Sequence, residues 1–274
     1  MNYKIVASDL DKTLLMDDMS ISPENWDAIK KLGELGVEFV PTTGRAYWEM
    51  PNELRDSELV RYCITSGGAK IYDRKEGKSY DIAIEKELLH EMLDKFYSYD
   101  ICVILHAKDR SFVDASTHNP EDYRYFNMSQ IWVDYLLDKD TPIENLKDFV
   151  YSLDSIESIC VFFRNKDDLL ECLEHFDMDE RLDVVQTDRW NIEICSKEAG
   201  KGNALIKLAE IMGLSPEQTI AVGDGENDVT MVKKAGLGLA VSNARTMLKV
   251  VADETICSNE QHAIKYILEN YIER

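Results

Sequence analysis

Basic residues are scarce in this chain: 31 lysines and arginines face 52 aspartates and glutamates, a net charge of −21. That balance argues against binding nucleic acid or an anionic membrane, because phosphate backbones reward basic surface. Long apolar runs are missing too, and the longest are far too short to cross a bilayer. No basic-then-apolar leader pattern opens the sequence, which goes straight into strand pattern. Its six cysteines form no CxxC pair and mostly lie in apolar runs. They read as buried free thiols in a reducing compartment rather than a disulfide framework, so a cytoplasmic protein is expected. Internal repeats and low-complexity linkers are also absent.

What is present is a core-forming composition, 45% apolar over 274 residues, enough for one large domain or two ordinary ones. The organising stretch is Lys4 to Leu15. Ile5, Val6 and Ala7 read as a buried strand that runs out into two acids, Asp9 and Asp11. Ser22-Pro23 then starts a helix with a serine cap and a first-turn proline. Trp26, Ile29, Leu32 and Leu35 give it an apolar stripe, and Gly36 ends it. A second strand, Val37 to Val40, closes on Pro41-Thr42-Thr43-Gly44-Arg45. A third, through Tyr62 to Thr65, ends at Ser66-Gly67-Gly68, and a hairpin around Glu76-Gly77 follows.

From about Glu85 the rhythm changes to mixed helices and strands, and most of the excess negative charge falls between Glu85 and Glu193. An α+β module is expected there. Within it, Tyr123, Tyr125, Phe126, Trp132 and Tyr135 read as core at helical spacing, and His106 as structure rather than ligand. Trp190, Asn191 and Glu193 lie just before the return to the first rhythm. The first rhythm returns at Gly200: a helix over Lys201–Met212, a capping box at Ser215, and a strand over Thr219–Val222 ending in Gly223-Asp224. A helix near Asp228–Ala235 then puts Lys233-Lys234 in its last turn, followed by a strand over Gly238–Val241 and a C-terminal helix over Glu260–Glu273. The expected fold is α/β: a doubly wound, mostly parallel Rossmann-like core over 1–84 and 196–274, with an inserted α+β cap over 85–195.

Three distant segments each put polar residues just after a core strand. In a parallel sheet such ends share one edge, where ligands bind. Any one of these acids alone reads as a helix or turn cap. Asp9, Asp11, Asp224 and Asp228 together repel: two unit charges about 4 Å apart cost roughly 4 kcal/mol at an effective dielectric of 20. Hard oxygen ligands without histidine or cysteine nearby in sequence point to Mg²⁺ as the counter-ion. With Thr43, glycine backbone and Lys201 to hold phosphate oxygens, the set reads as a phosphoryl-transfer site. One carboxylate attacks phosphorus; a second, two residues on, protonates the leaving oxygen.

Asp9-Leu10-Asp11-Lys12-Thr13-Leu14, Thr42-Thr43-Gly44-Arg45, Lys201-Gly202-Asn203-Ala204-Leu205 and Gly223-Asp224-Gly225-Glu226-Asn227-Asp228 resemble the four signatures of the haloacid dehalogenase-like superfamily. The insert resembles the type IIB cap of its Cof-type phosphatases, and the position of Trp190, Asn191 and Glu193 resembles the edge of that cap that faces the active site, which implies them as candidates for substrate specificity. The resemblance implies Mg²⁺-dependent hydrolysis of phosphate monoesters of small metabolites. It implies Asp9 as nucleophile and metal ligand, and Asp11 as general acid/base that also binds metal through its carbonyl. Thr43, Gly44 and Lys201 would bind phosphate, Asp224 would be a metal ligand, and Asp228 would support the metal's outer shell and Lys201. Asn227 would touch phosphate or a metal-bound water, and Arg45 would either contact phosphate or brace its loop. The sequence departs from the pattern at Lys12, where the superfamily often has glycine, and at Gly67, where such phosphatases often have asparagine. A phosphomutase of the same fold and a non-catalytic phosphate- or metal-binding regulator are the alternative functions. Sugar phosphates, nucleotides, flavin mononucleotide and pyridoxal phosphate all remain open as the small phosphorylated partner, and no oligomeric state is implied.

Overall fold

A computed structural model describes residues 3–96 and 98–273. The chain divides into two compact units: residues 1–44, 51–80 and 200–274 form one, and residues 45–50 and 81–199 the other.

The first unit is built on a five-stranded sheet in which every pairing is parallel. Its order is Glu254–Thr255, Leu237–Ala240, Thr219–Gly223, Ile5–Ser8, Glu38–Pro41. A parallel bridge between Thr42 and Ile64 brings Tyr62–Thr65 alongside, and that strand starts an antiparallel meander through Lys70–Asp73 and Lys78–Asp81. The central strands are buried along their whole length, which is why they read as unbroken apolar runs. On one face, Ile5, Ala7, Val40, Ile64 and Ala221 pack against Ala204, Leu205, Leu208 and Ala209 of the Lys201–Ile211 helix. The Pro23–Glu34 helix starts as its sequence dictates: the Ser22 side chain accepts from the Asn25 amide at 3.2 Å, with proline in the first turn.

The second unit has a six-stranded sheet ordered Leu182–Val185, Asn191–Ser196, Ser158–Phe163, Ile101–Ala107, Arg110–Asp114, Thr141–Ile143, antiparallel except for the last pair. Alternation along the strands sends Leu105, Val161, Phe163 and Ile194 to one core with Leu89, Phe96 and Phe176. It sends Cys102, Ile104, Cys160 and Phe162 to the other face. There they meet Tyr123 and Phe126, with Trp132 and Tyr135 packed alongside, so much of the aromatic stripe is core. Tyr125 is the exception, nearly half exposed. Five of the six cysteines are buried, and all six are free thiols.

Three expectations need correction. The unit boundaries lie at 80/81 and 199/200 rather than 84/85 and 195/196, and residues 45–50 leave the first unit for the second. The C-terminal helix does not run unbroken from Glu260. A 3₁₀ turn at Asn259–Gln261 ends on His262 in the left-handed conformation (φ 63°), and an α-helix starts at Ala263. Long-range bonds set that break: His262 Nδ1 pairs with Ser22 Oγ at 2.9 Å, and Asn25 Oδ1 accepts from the Ile264 amide at 3.1 Å. Helix ends elsewhere shift by a few residues; the helix near Asp228, for instance, is Val229–Lys234.

The second unit also buries an acid. Asp140 accepts from the Tyr123 hydroxyl at 2.8 Å, and its Oδ1 makes no hydrogen bond to a described residue. Burial, reinforced by the charge of Glu49, pushes its pKa up to about 7. The folded form therefore keeps a proton that the unfolded chain gives up above its ordinary value of 3.8. The resulting stability is present below that value and is lost as pH rises towards 7. Asp140→Asn should remove this loss, which for a shift of this size is on the order of a few kcal/mol. Thermal melts of the two proteins should diverge between pH 4 and pH 7.5, the variant ahead at the upper end. Parallel curves would contradict the assignment.

Candidate active site

The Ile5–Ser8 strand delivers Asp9 to its carboxyl end, where the Asp9 amide donates to the Val222 carbonyl at 3.0 Å. This bond ties the ends of the two central strands together. Beyond it, Leu10–Leu14 forms a wide turn in which Lys12 adopts φ 57°. Glycine suits that backbone conformation and lysine does not. The Lys12 carbonyl accepts from Asn243 Nδ2 at 2.7 Å, which holds the turn on its far side. Asp11 is half-buried within this turn.

Lys201, the first residue of its helix, is almost wholly buried. Its ammonium donates to Asp9 Oδ1 at 2.6 Å and to Asp228 Oδ1 at 2.7 Å. The other Asp228 oxygen accepts from the Asp224 amide at 2.9 Å and the Gly225 amide at 3.0 Å. Both oxygens of Asp228 are thus engaged in holding neighbours. Asp9, Asp224 and Asp228 each offer an oxygen within 4.8 Å of the others. The Asp224 carbonyl takes the Arg245 amide at 2.9 Å.

Electrostatics follow from this crowding. Burial first, then the charges of Asp228, Asp224 and Asp11, raise the pKa of Asp9 well above the carboxylate range, against the pull of Lys201. Burial and Asp228 push Asp224 up to about 7, while Lys201 and Lys12 pull it down. Burial opposes the charge on Lys201, but Asp228 and Asp9 outweigh it and raise its pKa. Three carboxylates against one ammonium leave negative charge in excess, all of it on hard oxygen donors. A divalent cation fits that set.

The remaining expected residues are placed unevenly. Thr43 is buried just beyond the Glu38–Pro41 strand, its amide donating to the Ile64 carbonyl at 2.9 Å and its carbonyl accepting from Gly67 at 3.0 Å. Gly44 is half-buried beside it in the chain, and Asn227 is half-buried in the Glu226–Asp228 turn. Arg45 belongs to the second unit, where its guanidinium lies over the Tyr135 ring at 4.3 Å and donates to the Glu49 carbonyl at 3.4 Å. Trp190, Asn191 and Glu193 are also in the second unit. Asn191 is buried, its Oδ1 taking the Asp188 amide at 2.6 Å, and Glu193 accepts from Thr187 at 2.9 Å. Sequence reading passed over Asn243 and Arg245. The signal was there: Ser242-Asn243-Ala244-Arg245 is another polar run just past a core strand, Leu237–Ala240.

A parallel sheet with three acids and a buried lysine gathered at the ends of its central strands defines an α/β protein with a site suited to a divalent cation and an anionic ligand. The chain matches the haloacid dehalogenase-like hydrolases over residues 6–268, and it belongs to that family. It is a phosphatase of the Cof type. It is 28% identical to Phosphatase YwpJ of Bacillus subtilis, across 98% of this chain and all of that one. It is also 28% identical to the 5-amino-6-(5-phospho-D-ribitylamino)uracil phosphatase YcsE of the same organism, across 99% and 96% of the two chains. A haloacid dehalogenase-like hydrolase from B. subtilis has the same fold, with TM-score 0.84, 26% identity and coverage of 98% and 99%. Hydrolases of this family generally use a divalent metal. Among the described residues no helix is long and apolar enough to cross a membrane.

Gly223 gives a test of the geometry. A Cβ there would overlap the Asp228 carboxylate, so Gly223→Ala must displace the group that holds Lys201. Overpacking of this kind costs about 1–3 kcal/mol, and phosphatase activity should fall with it. Gly33→Ala, in a helix with nothing within 4 Å of the new methyl, should instead gain about 0.5–1 kcal/mol. Denaturant melts and turnover of both variants check this. An active, stable Gly223→Ala protein would contradict the close approach.

Proposed function

We propose that the protein is a Mg²⁺-dependent phosphatase that hydrolyses phosphate monoesters of small metabolites through an aspartyl-phosphate on Asp9. The observation carrying this reading is the Lys201 bridge between Asp9 and Asp228, with Asp224 alongside. In this reading Asp9 and Asp224, with the carbonyl of Asp11, hold Mg²⁺, while Asp228 stays behind them and fixes Lys201 and the Asp224–Gly225 amides. Bound Mg²⁺ supplies charge neutralisation for Asp9 and the phosphate oxygens.

An Asp9 oxygen attacks phosphorus, and the bond to the ester oxygen breaks. Asp11 gives its proton to that leaving oxygen, so the alcohol departs neutral. Asp11, now a carboxylate, takes a proton from water, whose oxygen attacks the phosphorus of the aspartyl-phosphate. The acyl-phosphate bond breaks, inorganic phosphate is released and Asp9 is regenerated. Lys201, Thr43 and Gly44 hold the phosphate oxygens, Asn227 adds a neutral contact, and Arg45 braces the loop that carries Thr43. Substrates in this reading are small: sugar phosphates, or phosphorylated ribityl compounds of the kind that name the YcsE relative.

Asp9→Asn should lower turnover by at least about three orders of magnitude while the protein still folds. EDTA should silence the wild-type protein and Mg²⁺ restore it. A phosphate-release screen over sugar phosphates, nucleotides, flavin mononucleotide and 5-amino-6-(5-phospho-D-ribitylamino)uracil identifies the substrate class. Undiminished phosphate release by Asp9→Asn would remove the covalent route.

A further inference from the structure

The six residues 45–50 sit with the second unit although the chain on either side of them sits with the first. They are held there at several points. The Trp48 amide donates to the Asp109 carbonyl at 3.0 Å, and the Tyr135 hydroxyl donates to the Glu49 carbonyl. Glu49 is the centre of the arrangement. Its carboxylate accepts from the Ala46 amide at 2.6 Å and pairs with His106 Nε2 at 3.2 Å. His106 in turn reaches Ser158 Oγ through Nδ1 at 2.9 Å. Glu49 is 4% exposed and His106 7%.

Burying an ion pair costs several kcal/mol of desolvation per ion, and an apolar pair of equal volume often serves stability as well or better. The best-attested use of such buried pairs is to fix register rather than to add bulk stability. What that register controls is next to it in the chain. Ala46, pinned by Glu49, is two residues from Gly44 and three from Thr43.

We propose that Glu49 and His106 are positioning residues for phosphate binding: their ion pair fixes the Arg45–Met50 segment, and through it the backbone of Thr43 and Gly44. The proposal rests on the reading that Thr43 and Gly44 hold phosphate. The pair has a built-in titration. Burial opposes the charge on His106, but Glu49 first, then Glu157 and Glu193, raise its pKa to about 9. Asp140 and Arg45 are the other charged groups facing this cluster. The pair is intact at neutral pH and opens as pH passes that value. Lys201 stays charged over the same range, its pKa held above the ordinary lysine value by Asp228 and Asp9.

The probe is inorganic phosphate as a competitive inhibitor of p-nitrophenyl phosphate hydrolysis, measured from about pH 8 to 10, where its charge barely changes. Inhibition by the wild-type protein should weaken roughly tenfold across this range. His106→Asn should show that weakened inhibition at every pH, with KM raised and kcat little changed. A flat wild-type profile overturns the proposal, and so does a folded His106→Asn protein with wild-type inhibition. If that variant does not fold, the wild-type profile decides. Thr43→Ala separates the two levels. Normal phosphate inhibition in Thr43→Ala sinks the underlying reading and the proposal with it. Weakened inhibition in Thr43→Ala beside a flat wild-type profile sinks the proposal alone.

Discussion

One buried ammonium sets the terms for the first unit. Lys201 has no access to water and two carboxylates within 2.7 Å. Removing either partner would leave a charge stranded where solvation is poor, a loss of about 3–5 kcal/mol in comparable sites. So the helix that begins at Lys201 must start at that depth and no other. Ala204, Leu205 and Leu208 hold it against the sheet, and Gly202 lies so close to the Thr230–Met231 backbone that a side chain would collide. Packing and electrostatics thereby specify the same position.

The strand ends were the legible part of the site. Apolar runs that stop abruptly at acids, threonine and glycine identify a ligand-binding edge without any knowledge of contacts, and Asp9, Asp224 and Asp228 do meet there. The parallel order of the sheet was readable for the same reason, since strands buried on both faces carry no alternation. What stayed hidden depends on partners remote in sequence. Nothing around Glu49 announces that it faces His106, so the transfer of residues 45–50 to the other unit was invisible. The C-terminal helix failed likewise: its periodicity was sound, but Ser22 and Asn25 claim the groups around His262 and force a left-handed residue into it.

Lys12 shows how local rules yield at the site. A non-glycine residue in the left-handed region costs on the order of 1–3 kcal/mol. The wide turn after Asp9 requires that conformation whatever residue occupies it. Lysine returns part of the cost as attraction for Asp224, whose pKa it lowers. Asn243 secures the strained peptide from the other side. A glycine would relax the backbone and forfeit the charge.

The two middle strands of the parallel sheet, Ile5–Ser8 and Thr219–Gly223, are neighbours in space, but the paired residues Ile5 and Thr219 stand 214 positions apart in the chain. On a ribosome the first of them is made before the second and must wait, unpaired on that side, until the second emerges. The inserted unit, whose strands all lie between them, is complete before that happens. The pocket therefore closes only after the inserted unit has been made, and until then the acids that will line it remain apart and in water, where their mutual repulsion is screened.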